Sequence, residues 1–288
     1  MIVKNALYQT KEILLARGIQ DDYKEAELLV CHAAHISMTQ LYTAPEKELS
    51  EQEVLYLEQM VNRRLRHEPS AYIVNNCAFY NSNFYIDNRV LIPRPETELL
   101  VERTIDIIKK SSPSVGSQFV IADIGTGSGA IAGSIALHLP DVRIYATDIS
   151  AQALQVARWN FYRLGLNNRI ITLEGNLLEP LDEKINIIVA NLPYVTEDEM
   201  MILAPESKIF EPPIALDGGK DGLKEIRNLL YQIPGKIYPD TCILLEIGLG
   251  QDKILCPLIH KLFPEAVVSI FSDLSGINRV IEIYGATN

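Results

Sequence analysis

The sequence predicts an α/β fold, with a doubly wound, mostly parallel sheet preceded by a small N-terminal helical domain and a bridging β-hairpin. Three observations predict this fold. From Phe119 onward, short continuously apolar runs alternate with helical patterns, and strands that are buried on both faces and joined by helices form parallel sheets. The first 70 or so residues show helical periodicity. A stretch rich in Tyr, Phe, Val and Ile, a composition typical of strands, separates the two regions.

Length, charge and cysteine usage exclude several classes of protein. The 288 residues suit two domains. A formal net charge of −11 repels nucleic-acid phosphates and anionic membranes, so we expect no direct nucleic-acid binding. No run of 18 uncharged apolar residues predicts a membrane span. The four cysteines form no CxxC pair or Cys/His cluster, which argues against zinc and disulfides and, with no signal peptide expected, favours a reducing cytoplasm.

Helix-start signals recur within residues 1–70, the predicted helical domain. Asp22-x-x-Glu25, Ser37-x-x-Gln40 and Ser50-x-x-Glu53 each fit a capping box, in which two side chains satisfy free backbone donors. Apolar positions between these signals recur at three-to-four spacing. One dense basic stretch, Arg63-Arg64-x-Arg66, is either the solvated end of a helix or a contact for an acidic or RNA-bound partner.

Residues 71–92 are predicted to form a β-hairpin that links the two domains. Asn81-Ser82-Asn83 lies there between two short apolar runs. A proline-rich segment, residues 93–95, then precedes a helix predicted from about residue 97 to residue 110. This segment opens the second domain, residues 93–288.

Five strand candidates follow in the second domain, and helical patterns separate most of them. In a doubly wound sheet, ligands bind beyond the carboxyl ends of the strands. We expect strands at residues 119–124, 143–148, 170–174, 185–190 and 243–247.

The glycine loop, Asp123-Ile124-Gly125-Thr126-Gly127-Ser128-Gly129, closes the first of these strands and opens a helix. Its glycines let the backbone turn sharply and approach a ligand, and the helix start offers free N–H donors. Asp148, at the end of the next strand, can accept from a ribose of NAD or of S-adenosylmethionine alike. A carboxylate at Asp123 would repel a pyrophosphate, which favours S-adenosylmethionine.

The acceptor segment, Asn191-Leu192-Pro193-Tyr194, follows the fourth strand candidate and is expected in the same crevice. An amide or aromatic amine nitrogen is a poor nucleophile because its lone pair is delocalised. The Asn191 side-chain oxygen and the Leu192 carbonyl can accept its two N–H bonds and orient it toward a methyl group. Pro193 pushes Leu192 toward an extended conformation, and Tyr194 can stack on the planar group. The segment predicts methyl transfer to a planar nitrogen.

These residues resemble the release factor glutamine methyltransferase family, also called HemK-like or PrmC. The resemblance covers essentially the whole chain from residue 69. Besides the glycine loop and the acceptor segment it includes Pro69-x-Ala71-Tyr72-Ile73, Leu91-Ile92-Pro93-Arg94-Pro95-Glu96-Thr97-Glu98-x-Leu100-Val101-Glu102, Phe210-Glu211-Pro212-x-x-Ala215-Leu216-x-Gly218-Gly219-x-Asp221-Gly222, and Leu245-Glu246-Ile247-Gly248.

The resemblance implies a class I S-adenosylmethionine-dependent methyltransferase with a Rossmann-like fold. The implied substrate is the glutamine side-chain amide in the Gly-Gly-Gln motif of bacterial peptide chain release factors, with S-adenosyl-L-homocysteine as product, and the helical domain would help to grip the release factor. It implies catalytic roles for Asn191, Pro193 and Tyr194, with Leu192 completing the substrate-binding set, and places Asn176 and Leu177 beside the adenine. The implied cofactor-binding residues are Asp123, Gly125, Thr126, Gly127, Ser128, Gly129, Asp148, Asn176, Leu177 and Asn191.

Two positions depart from the family pattern. The family's usual Asn-Pro-Pro-Tyr reads Asn191-Leu192-Pro193-Tyr194 here, so Leu192 replaces the first proline. Because this position supplies a carbonyl, we expect its side chain to vary without loss of activity. Asn176 stands where Asp is more usual, which removes a charge and affects cofactor affinity rather than reaction type. Two other activities remain open: methylation of a glutamine in a ribosomal protein, and methylation of a nucleic-acid adenine, which the charge of −11 argues against.

Overall fold

The computed structural model describes residues 1–19, 21–110 and 118–286. The chain forms two compact units. The first contains Met1–Asn76 together with Ala204–Phe210, and the second contains Cys77–Leu203 together with Glu211–Asn288. This division differs from the boundaries expected at residues 70 and 92, because the hairpin groups with the second unit.

The first unit is helical, and two of its three predicted capping boxes are confirmed, at Ser37 and at Ser50. The third is wrong, because Asp21 rather than Asp22 precedes the helix, with φ 53° and no side-chain capping bond. The helices are α1 (Val3–Ala16), α2 (Asp22–Ala33), α3 (Met38–Thr43), α4 (Glu51–Arg64), α5 (Ser70–Ile73) and, from later in the chain, α10 (Pro205–Phe210).

The basic stretch at the end of α4 is largely engaged inside the first unit. Arg64 is buried, and its guanidinium donates to Glu25 Oε2 and to Glu206 Oε1, both at 3.1 Å. Arg63 donates to Glu68 at 2.5 Å. Removing either partner of the buried Arg64 would leave an uncompensated charge and destabilise the helical unit.

A seven-stranded sheet forms the second unit within the described residues. The strands are β3 (Phe119–Ile124), β4 (Val142–Asp148), β5 (Ile170–Glu174), β6 (Ile185–Ala190), β7 (Ile237–Glu246), β8 (Val267–Ser272) and β9 (Asn278–Tyr284). Their order is β5-β4-β3-β6-β7-β9-β8. β3 to β7 are parallel, and β9 is antiparallel to both of its neighbours. The mostly parallel, doubly wound sheet is therefore confirmed.

Helices cover both faces of this sheet, and each face has its own hydrophobic core. Along β6, Ile188 and Ala190 belong to one core, while Ile187 and Val189 belong to the other. Burial on both faces explains why the parallel strands read as continuous apolar runs. The helices of the unit are α6 (Glu98–Lys110), α7 (Ala130–His138), α8 (Ala151–Arg163), α9 (Glu197–Ile202), α11 (Lys224–Gln232) and α12 (Asp252–Leu262), with 3₁₀ turns at Pro95–Thr97 and Pro213–Ala215.

The predicted hairpin is present as β1 (Cys77–Phe79) and β2 (Ser82–Phe84). Its turn falls at Tyr80 and Asn81, which both have positive φ, rather than at residues 81–83. Two residues with positive φ suit the tight turn of a hairpin. The Phe84 ring lies so close to Gly133 of α7 that a Cβ there would come within 2.8 Å of it. This packing makes the hairpin part of the second unit.

The strand predictions fail where the apolar run is interrupted. β7 begins at Ile237 rather than at residue 243, because polar residues and Pro239 break the pattern at its start. β8 and β9 lie outside the predicted set, since β8 is partly exposed along its whole length. No helix among the described residues is long and apolar enough to cross a membrane.

Candidate active site

The glycine loop and the acceptor segment leave the sheet side by side. β3 pairs in parallel with β6, with Ile124 opposite Ala190 at their carboxyl ends. The other neighbour of β3 is β4, so the strand order reverses at this point. Such a switch point opens a crevice beyond the strand ends where ligands bind.

A cavity of about 530 Å³ occupies this crevice, and all its lining residues belong to the second unit. Its size is within the range of small-molecule sites. Most of the predicted site residues line it: Gly125, Thr126, Gly127, Ser128, Asp148, Asn176, Leu177, Asn191, Leu192 and Pro193.

Backbone hydrogen bonds fix the glycine loop over the end of β4. The N–H groups of Gly125 and Thr126 both donate to the Thr147 carbonyl at 2.9 Å. Gly127 donates to Asp148 Oδ2 at 2.9 Å. Gly125 and Gly127 have φ values of 71° and 54°, which glycine adopts without steric cost. The loop is thus tied to the carboxylate that closes the next strand.

Asp148 lines the cavity with acceptor capacity to spare. Its Oδ1 accepts from Ser150 N at 2.8 Å, and its Oδ2 accepts from Gly127. A carboxylate has about four lone-pair sites, so Asp148 can accept a further hydrogen bond. Burial raises the pKa of the Asp148 carboxyl, and the backbone N–H donors act in the opposite direction. These features fit a group that receives the hydroxyls of a ribose.

Asp123, one of the implied cofactor-binding residues, does not line the cavity. It is fully buried, and its Oδ2 accepts from Thr126 Oγ1 at 2.6 Å and from Ala132 N at 3.1 Å. Burial raises the pKa of this carboxyl to about 7. Asp123 therefore supports the glycine loop from below in this structure.

Gly129 is also absent from the cavity wall. It precedes α7 with φ 80°, and a Cβ at this position would lie 2.6 Å from the Phe161 ring. The glycine is required here by the close approach of α8 and by the positive φ. Its role is packing beneath the loop.

Asn176 and Leu177 follow β5 and line the cavity beside Asp148. Asn176 Nδ2 donates to Glu179 Oε1 at 2.8 Å. Leu177 has φ 55°, a left-handed conformation that is uncommon outside glycine, asparagine and aspartate. Its carbonyl accepts from Thr147 Oγ1 at 3.0 Å, which helps to hold the strained residue at the wall.

In the acceptor segment, Thr97 holds the Asn191 side chain. Its Nδ2 donates to Thr97 Oγ1 at 3.0 Å. Leu192 is buried, and its Cδ2 would lie 3.0 Å from a Cβ on Gly125. The side chain at position 192 therefore packs under the glycine loop, so it is more constrained than a position that supplies only a carbonyl.

Tyr194 is not among the residues that line the cavity, and its stacking on a planar substrate stays a prediction. Its hydroxyl donates to Glu246 Oε1 at 3.2 Å, and its carbonyl accepts from Gln251 Nε2 at 2.9 Å. Glu246, at the end of β7, is almost completely buried. Burial raises the pKa of its carboxyl to about 7, and hydrogen bonds from Thr97 and Tyr194 act in the opposite direction.

Two family models match the chain: the PrmC N-terminal domain over residues 5–74 and the methyltransferase small domain over residues 100–212. The release factor glutamine methyltransferase of Thermodesulfovibrio yellowstonii is 38% identical over 261 residues, or 90% of this chain and 91% of the relative. That of Bacillus cereus is 31% identical over 285 residues, or 98% of each chain. The chain belongs to the release factor glutamine methyltransferase family. The resemblance inferred from the motifs is thereby confirmed.

As a member of this family the chain is a methyltransferase, and its methyl donor is S-adenosylmethionine. Its fold is shared with the N-terminal domain of human METTL16, solved in complex with SAH. That structure matches with a TM-score of 0.51 and 17% identity, over 85% of this chain and 87% of that one. The Rossmann-like methyltransferase fold expected from the sequence is therefore confirmed.

Four further residues hold the segments around the cavity, and the motifs alone assign no role to them. Thr97 and Glu246 hold the acceptor segment, as described above. Arg94 donates to the buried Glu211 at 2.5 Å, which ties the segment before α6 to the start of the Glu211-Pro212 stretch. All four residues occur within the stretches that resemble the family. That resemblance is the one sequence signal that marks them, since none lies near its partner in the chain.

Proposed function

We propose that this chain transfers a methyl group from S-adenosylmethionine to the side-chain amide nitrogen of the glutamine in the Gly-Gly-Gln motif of peptide chain release factors. The observation that carries the proposal is the orientation of Asn191. Its Nδ2 is engaged by Thr97, so its Oδ1 is the atom left to accept hydrogen bonds at the cavity wall. The names of the relatives at 38% and 31% identity support a release factor as the substrate.

Two acceptors are required to orient a glutamine amide. Its nitrogen carries two N–H bonds, and Asn191 Oδ1 and the Leu192 carbonyl would each accept one. This arrangement fixes the plane of the amide and holds its nitrogen toward the glycine loop. As the new C–N bond forms, positive charge develops on the nitrogen, and the same two hydrogen bonds strengthen. The methylated nitrogen becomes strongly acidic and loses its proton to solvent or to a nearby carbonyl.

S-adenosylmethionine, when bound, supplies a methyl group on a positively charged sulfur that a weak nucleophile can attack. The chain's own residues would bind and orient the rest of the molecule. Asp148 would accept the ribose hydroxyls, the glycine loop would present backbone N–H groups, and Asn176 with Leu177 would flank the adenine. The described residues contain no group of three or more His, Cys, Asp or Glu that could hold a metal ion.

The helical first unit would bind the release factor outside its Gly-Gly-Gln loop. The match of residues 5–74 to the PrmC N-terminal domain supports this role. Its exposed aromatic side chains, Tyr8, Tyr23, Tyr42 and Tyr56, offer apolar contact area with polar ends. A protein partner fits the acidic chain better than a nucleic acid does.

The test is methyl transfer from labelled S-adenosylmethionine to three acceptors: a release factor, ribosomal proteins and duplex DNA. We expect label in the release factor, and mass spectrometry of the digested product should place one methyl group on the glutamine of the Gly-Gly-Gln peptide. A release factor with asparagine in place of that glutamine is the matched control and should remain unlabelled. Label confined to a ribosomal protein or to DNA would overturn the proposal.

A further inference from the structure

Two buried side chains, those of Thr97 and Glu246, lie behind Asn191. Glu246 does not line the cavity, whereas Thr97 does. Thr97 is 3% exposed and Glu246 is 1% exposed. Thr97 Oγ1 accepts from Asn191 Nδ2 at 3.0 Å. A hydrogen bond from Thr97 also lowers the pKa of the Glu246 carboxyl, whose buried Oε2 accepts from no other group among the described residues. The three side chains form a chain of contacts from the end of β7 to the acceptor segment.

The direction of the hydrogen bonds in this chain is set by Glu246. An ionised carboxylate only accepts, whereas a threonine hydroxyl has one hydrogen to donate and lone pairs to accept. Tyr194 already donates to Glu246 Oε1 at 3.2 Å. If Thr97 donates its hydrogen to Glu246, its oxygen is left as an acceptor. Asn191 must then turn its Nδ2 toward Thr97, and its Oδ1 faces the cavity.

We propose that Glu246 and Thr97 are positioning residues that fix which face of the Asn191 amide meets the substrate. The inference rests on the proposed function, because the acceptor face matters when the substrate group is an N–H donor. Asn and Gln amides have nearly the same shape in both orientations, so shape alone does not select one. The carboxylate selects the orientation in which Asn191 accepts.

Protonation of Glu246 would reverse the direction of the hydrogen bonds that run from Asn191 through Thr97 to Glu246. A protonated carboxyl can donate to Thr97, and Thr97 can then donate to Asn191 Oδ1. The Asn191 Nδ2 would then face the substrate, and two N–H donors would oppose each other. Three charged or titratable groups from other elements face Glu246: Tyr194, Arg279 of β9, and Glu96 in the turn before α6. Arg279 favours the ionised form and Glu96 disfavours it, while Asp273 pairs with Arg279.

Thr97→Val and Thr97→Ser separate the role of the Thr97 hydroxyl from that of the branched shape of its side chain. Valine keeps the branched side chain and removes the donor and acceptor, so we expect kcat for methyl transfer to fall roughly 10- to 100-fold. Serine keeps the hydroxyl and should stay within several-fold of the wild type. Calorimetry should show unchanged affinity for S-adenosylmethionine in both, which excludes a folding defect. Equal losses in the two variants, or no loss in Thr97→Val, would overturn the proposal.

Glu246→Gln tests the direction of these hydrogen bonds through the pH dependence of kcat. We expect kcat of the wild-type enzyme to rise along an acid limb with a midpoint near pH 7, the region of the Glu246 pKa. Glutamine cannot ionise, and its Nε2 can donate to Thr97. The variant should therefore be slower at high pH and should lack this limb. An acid limb that persists in Glu246→Gln would overturn the proposal.

A measurement without substrate separates this inference from the proposed function. The side-chain amide of Asn191 can be assigned by NMR as the signal pair missing in Asn191→Ala. We expect its bonded hydrogen to exchange slowly in the wild type and in Thr97→Ser, and rapidly in Thr97→Val. Equal exchange in all three would overturn the positioning role. Absence of methyl transfer to the release factor, with these exchange rates as expected, would reject only the proposed function.

Discussion

The two segments that flank the cavity follow neighbouring strands, yet they are held by different means. The glycine loop is fixed mainly through its backbone, by bonds from Gly125 and Thr126 to the Thr147 carbonyl and from Gly127 to Asp148. Asp123 adds one side-chain bond, from the Thr126 hydroxyl. The acceptor segment is fixed through its side chains, from Asn191 to Thr97 and from Tyr194 to Glu246. A buried carboxylate outside the wall supports each segment.

This difference teaches what each support can control. A carboxylate that receives backbone N–H groups fixes where a loop lies, which matters for binding a cofactor. A carboxylate that receives hydroxyls also determines which atoms of the next group donate and which accept. Changes on the glycine-loop side should therefore alter cofactor affinity and stability, whereas changes on the acceptor side should alter the rate.

The largest effect is expected at the acceptor segment. Asn191→Ala removes one of two acceptors for the substrate amide, and we predict a loss of about 10³-fold in kcat. Affinity for S-adenosylmethionine, measured by calorimetry, should stay within several-fold. Asn167→Ala is the control. Asn167 is exposed and lies just before the amino end of β5, whereas the cavity lies beyond the carboxyl ends of the strands. Undiminished turnover in Asn191→Ala would remove the basis for the comparison.

A smaller effect, on affinity, is expected at the glycine-loop side. Asp148→Ala removes a charged acceptor, and loss of one hydrogen bond to a charged group weakens binding roughly 10- to 100-fold. Calorimetry with S-adenosylmethionine measures this directly. Asp141→Ala is a matched control, because Asp141 is exposed just before the other end of the same strand. Unchanged affinity in Asp148→Ala would mean that the ribose is held elsewhere.

The sheet and the glycine loop could be predicted because their signals are local. β3, β5 and β6 begin and end at the predicted residues. β3 and β6 are largely buried, which favours apolar residues along almost the whole strand. The glycine loop joins a strand to a helix within a few residues. β8 was not predictable in the same way, because exposed residues such as Val267 interrupt the apolar pattern.

The supports of the acceptor segment could not be predicted from local signals. Asn191 and Thr97 are 94 residues apart in the chain, and Tyr194 and Glu246 are 52 apart. No periodicity links such positions, so their contact depends on the tertiary fold. The contact of the Tyr194 hydroxyl with Glu246 could not be predicted for the same reason, because the carboxylate lies on a distant strand.

A third prediction concerns packing beneath the glycine loop. Gly129→Ala and Gly165→Ala both place a Cβ at positive φ, which costs about 1 kcal/mol. At Gly129 the Cβ would also meet the Phe161 ring at 2.6 Å, whereas at Gly165 nothing lies within 4 Å. We expect urea unfolding to show a further loss of about 1–3 kcal/mol in Gly129→Ala. Equal losses in the two variants would show that Phe161 can move aside.

The last prediction concerns the buried carboxylates on both sides of the cavity. Burial raises the pKa of Asp123 and of Glu246 to about 7 in the folded chain, above the usual values of 3.8 and 4.5. Between these usual values and pH 7, both carboxyls are already deprotonated in the unfolded chain but still protonated in the folded chain. Each group therefore reduces stability as the pH rises through this window, and the change ends above pH 7.

Asp123→Asn and Glu246→Gln remove these titrations one at a time. The free energy of unfolding of each variant, relative to the wild type, should rise from about pH 4 to about pH 7, with a slope below about 1.4 kcal/mol per pH unit, and then level off. Glu174→Gln, at the exposed end of β5, is the matched control. The two carboxylates should behave alike in stability and differ in rate, because Glu246 alone is expected to set the direction of hydrogen bonds at Asn191. A flat stability difference for either variant would show that its carboxylate is hydrated in the folded chain, and the role of a dry, buried support would then be lost on that side of the cavity.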